Sequence, residues 1–413
     1  MKPFACGHAT HPQWRMAAAL AVAQLRAQRS APKPGTRGLG LLYITDHYAS
    51  QAQALLEYLR AELPDVLDWA GTTGIGICAQ QAQYWDEPAL AILLCDLPAG
   101  QFRVFSGLAP LPPRAGNAWE ARCALVHADP RTPELSELLA ELAERTSEGF
   151  LFGGLASARG QAAQFAVQDD ALGGCFDGGL SGVAFSAGVA CMTRITQGCQ
   201  PVGPAHTITR ADDLVALGLD GEPALDVLLL DLAISLEAPR QAIEVVRQTL
   251  AGLSPPGQRP VGRTGHLAQD VRVRHIVGLD PLRQGVALAE HLQQGMGLVF
   301  CRRDPQVARA DLRRICTSLR EAVEPDSLPL EAALTNAPQA HPDGPPCGRA
   351  IAGAVYVSCT GRGGHHFGAP GAELQIIRHA LGDVPVVGFY AAGEIAGQQV
   401  HGYTGVLTVF VQG

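Results

Sequence analysis

The sequence predicts an α/β protein of the α+β kind, with two related domains whose mixed, largely antiparallel sheets are covered by helices. Two observations predict this class. Apolar runs of strand length alternate with segments whose apolar residues recur at helical spacing, as in Leu55, Leu56, Leu59 and Leu63. Several successive strands are separated only by short turns, which join antiparallel neighbours and cannot join parallel ones.

Composition limits the class of protein further. The chain has 413 residues, 47% of them hydrophobic and 17% charged, which is enough to bury the cores of two domains. The formal net charge of −8 argues against a nucleic-acid partner, which normally requires a basic face. The apolar run at residues 16–23 is too short to cross a bilayer, so no membrane partner is expected. Most of the eleven cysteines lie in apolar strands, which fits a reducing, cytoplasmic location.

Three segments divide the chain. Residues 1–37 are basic and Ala-rich and predict an N-terminal amphipathic helix followed by a Pro/Gly linker. Residues 38–225 are expected to form the first domain. Apolar runs, helical spacing and turn residues predict its strands at 39–45, 71–78, 89–95, 123–128, 149–155, 179–187, 189–196, 207–210 and 214–219, and its helices near 50–63 and 133–142.

Residues 226–413 are expected to form the second domain. Glu222-Pro223 begins a helix that runs to Leu232, because proline is favoured in a first helical turn. The same criteria predict helices at 243–253 and 304–319, strands at 271–279 and 297–301, a Pro-rich surface insertion at 325–348, and a final strand–helix–strand unit at 354–411.

Two glycine-ended strands are similar to each other. The segment Gly149–Gly154 (GFLFGG) is similar to Gly388–Gly393 (GFYAAG), and glycine-led alternating strands follow both. This similarity predicts an internal repeat, with two related halves facing one another. The turn Gln197–Pro204 is expected to close the sheet of the first half, since its glycines and prolines disfavour regular structure.

Four segments carry a family resemblance. They are Gly149–Gly154 with Gln197–Pro204, Leu219–Leu225, Cys359–Gly363, and Gly388–Glu394 with His401–Thr404. In residues and order they resemble a FIST-domain protein, with a FIST N-terminal domain followed by a FIST C-terminal domain. The resemblance implies an intracellular sensory module of signal transduction that binds small ligands, such as amino acids. A downstream signalling partner is left open, and no cofactor is predicted.

The candidate ligand site lies where three glycine-rich turns follow strands in the last sixty residues. Arg362, between glycines, can hold a carboxylate through two parallel hydrogen bonds. Glu394, at a second strand end, can bind an ammonium group, so the two side chains suit a zwitterion such as an amino acid. In the competing interpretation, Arg362 and Glu394 pair with each other as a structural bridge.

Other candidates share these turns or the related turns of the first half. Tyr403 and Thr404 have hydroxyls that can bind a ligand or satisfy the turn backbone. The full set of predicted ligand-binding residues is Gly153, Gly154, Gln197, Cys359, Arg362, Gly363, Gly393, Glu394, His401, Tyr403 and Thr404.

A second hypothesis makes the protein a cysteine-dependent hydrolase or transferase. Its nucleophile is Cys359, near the cationic Arg362, or Cys199 in the Gln-Gly-Cys-Gln turn. The sequence identifies no general base for either thiol. The adjacent histidines His365 and His366 project in different directions, so no metal site is predicted from them.

Overall fold

The structure is a computed structural model that describes residues 3–29, 35–114, 119–169, 173–235, 237–262, 265–268, 271–323 and 350–412. The predicted insertion at 325–348 therefore lies outside the described residues. The α-helices in the described part are α1 (Trp14–Gln28), α2 (Ala52–Glu62), α3 (Leu135–Glu144), α4 (Ala224–Leu232), α5 (Pro239–Gln248), α6 (Pro305–Val323) and α7 (Ala372–Leu381). Among these residues, no helix combines the length and the apolar character that crossing a bilayer requires.

The chain divides into two compact units that differ from the predicted halves. The first unit consists of Met1–Thr196, Leu312–Val400 and Thr404–Gly413. The second unit consists of Gln197–Asp311 and His401–Tyr403. The first unit thus combines residues from both sides of the predicted boundary at 225/226.

Three six-stranded sheets build the first unit. Sheet 1 has, in spatial order, β1 (Ala5–Thr10), β6 (Ala89–Pro98), β2 (Thr36–Thr45), β3 (Asp68–Gly74), β10 (Gln164–Val167) and β11 (Gly174–Phe176). Sheet 2 has β7 (Phe102–Ser106), β12 (Leu180–Phe185), β8 (Ala121–Ala128), β9 (Thr146–Leu155), β23 (Glu394–Gly397) and β24 (Gln399–His401). Sheet 3 has β13 (Cys191–Gln197), β25 (Thr404–Gln412), β21 (Ala350–Cys359), β22 (Val386–Ala391), β4 (Gly76–Ala79) and β5 (Ala82–Trp85).

The three sheets follow one pattern. At the centre of each lies a parallel strand pair joined by a helix, and we call β2–α2–β3, β8–α3–β9 and β21–α7–β22 the first, second and third repeat. An antiparallel strand, β6, β12 or β25, flanks the first strand of each pair. The other flank is a strand that follows a different repeat in the sequence: β10, after the second repeat, in sheet 1; β23, after the third, in sheet 2; and β4, after the first, in sheet 3. The repeats therefore exchange strands cyclically, in a three-fold pattern.

One glycine marks the same position in each parallel pair. Gly71, Gly153 and Gly388 lie opposite Leu42, Val126 and Tyr356 of the neighbouring strand. A Cβ atom on these glycines would be 1.7, 2.0 and 1.7 Å from the carbonyl oxygens of those three residues. Each strand pair thus requires a residue without a side chain at this point. The internal similarity lies among three repeats, and Gly153 rather than Gly149 corresponds to Gly388.

The core of the first unit contains aromatic residues from all three repeats. Tyr43 of β2 stacks on Phe389 of β22 with ring centroids 5.3 Å apart, and its hydroxyl is 3.2 Å from Nε2 of His127 in β8. All three side chains are fully buried. Burial lowers the pKa of His127 to about 3, so this imidazole is neutral.

The N-terminal segment packs on sheet 1. The predicted helix is α1, whose buried residues include Ala17, Ala21 and Leu25. Strand β1 was not predicted, because its six residues are small or polar and show no apolar run. A Cβ atom on Gly7 would be 2.5 Å from the carbonyl oxygen of Ala21, so this glycine allows β1 and α1 to approach each other closely.

The second unit contains a seven-stranded sheet whose neighbours pair antiparallel. Its order is β14 (Cys199–Asp212), β20 (Gly297–Arg303), β17 (Leu250–Ser254), β18 (Arg272–Asp280), β19 (Gly285–Leu288), β15 (Val215–Leu219) and β16 (Glu222–Pro223). Because β14 pairs with both β20 and β15, six of these strands close into a barrel, and β16 pairs with β15 at its edge. Helix α4 packs on the barrel core through Leu225, Leu228 and Leu232.

The prediction of a turn at Gln197–Pro204 is wrong. Strand β13 ends at Gln197, and strand β14 runs from Cys199 to Asp212. The ladder between β14 and β20 is interrupted between Pro201 and Ala205, where proline costs no regular hydrogen bond. The predicted α+β class, with mixed and largely antiparallel sheets, is confirmed.

Candidate functional site

The candidate site begins where β21 ends. A single helical turn, Thr360–Arg362, follows Cys359, and a glycine-rich loop at 363–371 leads into α7. Gly363 lies against the indole of Trp85, since a Cβ atom there would be 2.2 Å from the ring. At the other end of the loop, the Gly371 N–H donates to Oε1 of Gln83 at 2.6 Å. The loop is thus held at both ends by residues of the β5 strand.

Arg362 forms a buried ion pair with Glu373. Its Nε donates to Oε1 of Glu373 at 3.1 Å, and its Nη2 lies 3.1 Å from the same oxygen. The Tyr356 hydroxyl donates to this carboxylate at 2.7 Å, and the Ser358 hydroxyl lies 3.1 and 3.2 Å from its two oxygens. Nη1 of Arg362 donates to the carbonyl oxygen of Thr196 at 3.3 Å. The charge of Arg362 is therefore already balanced within the protein.

Glu394 lies nearby and is completely buried. Its Oε2 accepts hydrogen bonds from the backbone N–H of Thr404 at 3.1 Å and from the Thr404 hydroxyl at 2.7 Å. The Cys359 thiol also makes a hydrogen bond with this carboxyl group. Burial raises the pKa of Glu394 to about 8, although Thr404 and the positive charge of Arg362 oppose the shift. Near pH 7 the carboxyl group is mostly protonated.

The electrostatics of the cluster follow from these partners. Burial raises the pKa of Glu373, and the Arg362 guanidinium opposes that shift. Burial alone would lower the pKa of Arg362, but Tyr356 and Glu373 outweigh it and raise the pKa. An ionised Arg362–Glu373 pair and a protonated Glu394 together carry no net charge, which lowers the cost of burying them.

The structure brings four predicted residues together: Cys359, Arg362, Glu394 and Thr404. The predicted glycines have backbone roles around them. Gly153 allows the close approach of β8 and β9, and a Cβ atom on Gly154 would be 2.7 Å from Val357. The carbonyl oxygen of Gly393 accepts from the Leu155 N–H at 2.8 Å. None of these contacts requires a ligand.

Three other predicted residues belong to the second unit. The Gln197 side chain donates to the carbonyl oxygen of Ala268 at 2.9 Å. The Tyr403 hydroxyl lies 2.5 Å from Nε2 of His275. His401 is buried, with 5% of its surface exposed.

The candidate thiol Cys199 and the adjacent histidines His365 and His366 have different surroundings. The Cys199 thiol forms a hydrogen bond with Cys301. This bond is the largest cause that raises the pKa of Cys301 well above its ordinary value, and burial is the second. His365 is exposed, and His366 packs edge-on against Phe367. Within the described ranges, no three side chains of the types His, Cys, Asp and Glu are arranged to hold a metal ion.

Sequence reasoning missed Glu373, Tyr356 and Ser358. A signal was present for Glu373, which shares the buried face of α7 with Leu374 and Ile377. An acidic residue on an otherwise apolar helix face needs a cationic partner, and Arg362 precedes it by one loop. Tyr356 and Ser358 alternate along β21 and therefore point to the same face of the sheet.

A surface cleft of about 380 Å³ lies at the C-terminal end of α7 in the first unit. None of the predicted site residues lines it. Its lining residues are Gln81, Gln375, Arg378, His379, Gly382 and Asp383. Glu373, Tyr356 and Ser358 do not line it either, so the cleft shares no residue with the Arg362 cluster.

The fold and the buried polar cluster define an α+β protein with a candidate small-molecule site at strand ends. Comparison with known proteins identifies the family. Residues 38–222 match the FIST N domain, and residues 228–397 match the FIST C domain. The chain therefore belongs to the FIST family, whose domains are sensory and signal-transduction modules, as the sequence resemblance predicted.

Relatives match along nearly the whole chain. An uncharacterized protein of Mycobacterium tuberculosis is 28% identical over 432 residues, covering 98% of both chains. An uncharacterized protein of Mycobacterium bovis is 29% identical over 433 residues, again covering 98% of both chains. The two family matches adjoin between residues 222 and 228, whereas the compact units divide the chain elsewhere.

Proposed function

We propose that this chain is a cytoplasmic sensory protein that binds a small zwitterion, such as an amino acid, in the third repeat of the first unit. Arg362 would bind the ligand carboxylate, and Glu394 would bind its ammonium group. The Thr404 hydroxyl and the Cys359 thiol, both next to Glu394, would complete the polar lining. The proposal specifies a ligand class for the general sensory role of the family.

The observation that carries the proposal is a pair of buried polar atoms. Nη2 of Arg362 and Oε1 of Glu394 are buried and have no hydrogen-bond partner of acceptable geometry within the described residues. Nη2 does have the nearby charge of Glu373 at 3.1 Å. A buried polar atom without a hydrogen bond costs about 1–3 kcal/mol, so a ligand that supplies one partner to each atom would recover part of this cost.

The charge of the site also suits a zwitterion. Arg362 and Glu373 form a neutral pair, and Glu394 is mostly protonated near pH 7 because its pKa is about 8. In a bound zwitterion, the carboxylate would face the positive charge of Arg362, and the ammonium group would face an ionised Glu394. An ammonium group beside Glu394 would favour its ionised form, so binding would release a proton.

Access to the cluster requires part of the protein to move, because Arg362 and Glu394 are buried. The loop at 363–371 suits this role. Gly364, Gly368 and Gly371 adopt positive φ angles of 65°, 89° and 75°. Glycines in this region change conformation at little cost, so the loop can open while β21 and α7 stay in place.

Thermal-shift and calorimetric titration of the wild-type protein with the common amino acids tests the proposal. A ligand at one hundred times its Kd stabilises the protein by about 2.7 kcal/mol, which gives a clear rise in Tm. We expect Glu394→Gln and Arg362→Lys to weaken binding of that ligand at least tenfold. Neither a Tm shift nor binding heat with any amino acid would contradict the proposal.

The matched control is Arg378→Ala, which removes an arginine of the same repeat from the surface cleft. We expect this variant to keep wild-type affinity, because Arg378 lies at the far end of α7. Equal loss of affinity in Arg378→Ala and in Arg362→Lys would place the ligand in the cleft.

A cysteine-dependent hydrolase or transferase is the second candidate function. The hydrogen bond between Cys359 and Glu394 favours Cys359 over Cys199, because the ionised form of Glu394, which becomes the major form above its pKa of about 8, can accept the thiol proton. Iodoacetamide labelling across the pH range, followed by peptide mapping, tests it. Labelling of Cys359 with an apparent pKa below about 7 would support a nucleophile, whereas titration near or above about 8.5 would exclude one.

A further inference from the structure

Two thiols of the first unit lie next to each other without being bonded. Sγ of Cys123, in β8, is 3.5 Å from Sγ of Cys191, the first residue of β13. Both cysteines are free, and their exposed fractions are 2% and 8%. They come from strands of two different sheets, so a bond between them would join sheet 2 to sheet 3.

A guanidinium group is held against one of the sulfur atoms. Nη2 of Arg122 lies 3.2 Å from Sγ of Cys191 and also donates to the carbonyl oxygens of Val189 and Cys191, at 3.2 and 3.1 Å. These two backbone contacts fix the position of the cation beside the sulfur. A positive charge so placed stabilises a thiolate, the reactive form of cysteine.

The surroundings of Cys123 and Cys191 therefore differ from those of isolated thiols such as Cys6 and Cys316. When Cys191 is ionised, its sulfur accepts a hydrogen bond from the Cys123 thiol, and this bond together with the Arg122 charge lowers the pKa of Cys191 against the effect of burial. By contrast, burial raises the pKa of Cys6 and of Cys316 to about 12. Cys191 combines a partner thiol, a cation and the larger exposure of the pair.

We propose that Cys123 and Cys191 form a redox-active dithiol that a small hydroperoxide converts into an intramolecular disulfide. Cys191 reacts first. Its thiolate attacks one oxygen of the peroxide, the O–O bond breaks, and the departing hydroxide takes up a proton, which leaves a sulfenic acid on Cys191. Hydrogen peroxide is close to water in size, which suits it to a thiol of a residue that is 8% exposed.

The second step joins the two residues. The Cys123 sulfur attacks the sulfur of the sulfenic acid, its proton passes to the departing hydroxide, and a second water forms. Two thiols lose two electrons, and one peroxide gains them and becomes two waters. The sulfurs must approach from 3.5 Å to about 2.05 Å. Because β13 is the outermost strand of sheet 3, it can make this small shift without displacing a further strand.

Peptide mapping of the full chain after treatment with hydrogen peroxide tests the proposal. The background variant is Cys175→Ser, because Cys175 and Cys191 lie on one tryptic peptide. We expect a disulfide between the Cys123 and Cys191 peptides, reversed by dithiothreitol. A map in which these two peptides stay unlinked, or in which Cys199 and Cys301 are linked instead, would overturn the assignment.

Two further variants test the roles of the residues. In Cys123→Ala, dimedone should trap a sulfenic acid on Cys191, since no resolving thiol remains. In Arg122→Gln, the pKa of the Cys191 thiol should rise by about one unit. At a pH below that pKa, the thiolate fraction falls about tenfold, so disulfide formation should slow about tenfold. Unchanged kinetics in Arg122→Gln, or dimedone on Cys123 rather than Cys191 in the wild type, would show that Cys191 is not the activated thiol.

Discussion

Arg362 and Glu373 form a buried ion pair across the glycine-rich loop of the third repeat, with Nε 3.1 Å from Oε1. Their side chains are 1% and 4% exposed. Burying two charges is costly, and the attraction between them offsets that cost only when the remaining polar atoms are also bound. Tyr356 and Ser358 supply such bonds to Glu373. The pair therefore fixes the start of α7 relative to the end of β21.

The pair predicts a large coupling energy. Arg362→Met leaves the Glu373 carboxylate buried without its cation, and we expect it to lower the free energy of unfolding by about 3–5 kcal/mol. Glu373→Gln in the same chain should restore more than about 1 kcal/mol, because the unpaired charge is removed. Urea denaturation of the single and double variants measures the coupling.

The surface pair Arg378–Asp383 is the control for this cycle. Its side chains are 47% and 83% exposed, with Nε 2.6 Å from Oδ1. Exposed pairs contribute less than about 1 kcal/mol. Strict additivity of Arg362→Met and Glu373→Gln would contradict the assignment of a tightly coupled buried pair.

The parallel strand pairs predict that Gly388 cannot be replaced. A Cβ atom there would be 1.7 Å from the carbonyl oxygen of Tyr356, which is backbone and cannot turn aside. We expect Gly388→Ala to destabilise the protein by about 3 kcal/mol or more, or to prevent folding. Gly107→Ala, where no atom lies within 4 Å, should change stability by less than about 0.5 kcal/mol. Thermal denaturation of both variants gives the comparison, and a fully stable Gly388→Ala would contradict the strand spacing.

Local pattern could predict most of the elements but not their arrangement. Apolar runs and helical spacing locate β2, β6, β8, α2 and α3, because these features depend on neighbouring residues. The exchange of strands among repeats depends on pairings such as that of Cys78 with Gly388, which are distant in sequence. The three repeats share a glycine at one position and little else, so sequence comparison suggested two halves and set Gly149 against Gly388.

The candidate site was predictable to a similar extent. Polar residues between glycines at strand ends identified Arg362 and Glu394, and the structure places both in one buried cluster. Which group neutralises Arg362 depends on how α7 packs, and that is not visible in the local sequence. The structure provides Glu373, a partner that neither interpretation of Arg362 and Glu394 included.

His127 predicts a loss of stability at mildly acidic pH. Its ordinary pKa is 6.5, and burial lowers the pKa to about 3 in the folded protein. Between these values the unfolded chain binds a proton that the folded chain does not, so the free energy of unfolding falls as pH falls below 6.5. Relative to Tyr43→Phe/His127→Leu, the wild type should lose about 2 kcal/mol between pH 7 and pH 5. Urea denaturation at several pH values checks this, and parallel curves for the two proteins would contradict a neutral buried His127.

Glu394 predicts the opposite trend. Burial raises its pKa from 4.5 to about 8, so between these values the folded protein holds a proton that the unfolded chain has lost. The stability of the wild type should therefore fall as pH rises from 5 to 8, by about 1.4 kcal/mol per pH unit at most. Glu394→Gln replaces the carboxyl group with an amide that does not titrate. The stability of this variant should therefore depend less on pH over the same range. A wild type and a Glu394→Gln variant with the same pH dependence would show that the carboxyl group is ionised when buried.

The proton on Glu394 also determines how the affinity for the proposed ligand should depend on pH. Binding of an ammonium group requires ionised Glu394, which is a minor form below the pKa of about 8. The Kd of a bound amino acid should therefore decrease about tenfold per pH unit from pH 5.5 to 7.5, and should level off near pH 8. In Glu394→Gln the affinity should be weak and independent of pH, since no proton is exchanged. Calorimetry in buffers of different ionisation enthalpy would measure the released proton directly, and binding without proton release would exclude an ammonium group at Glu394.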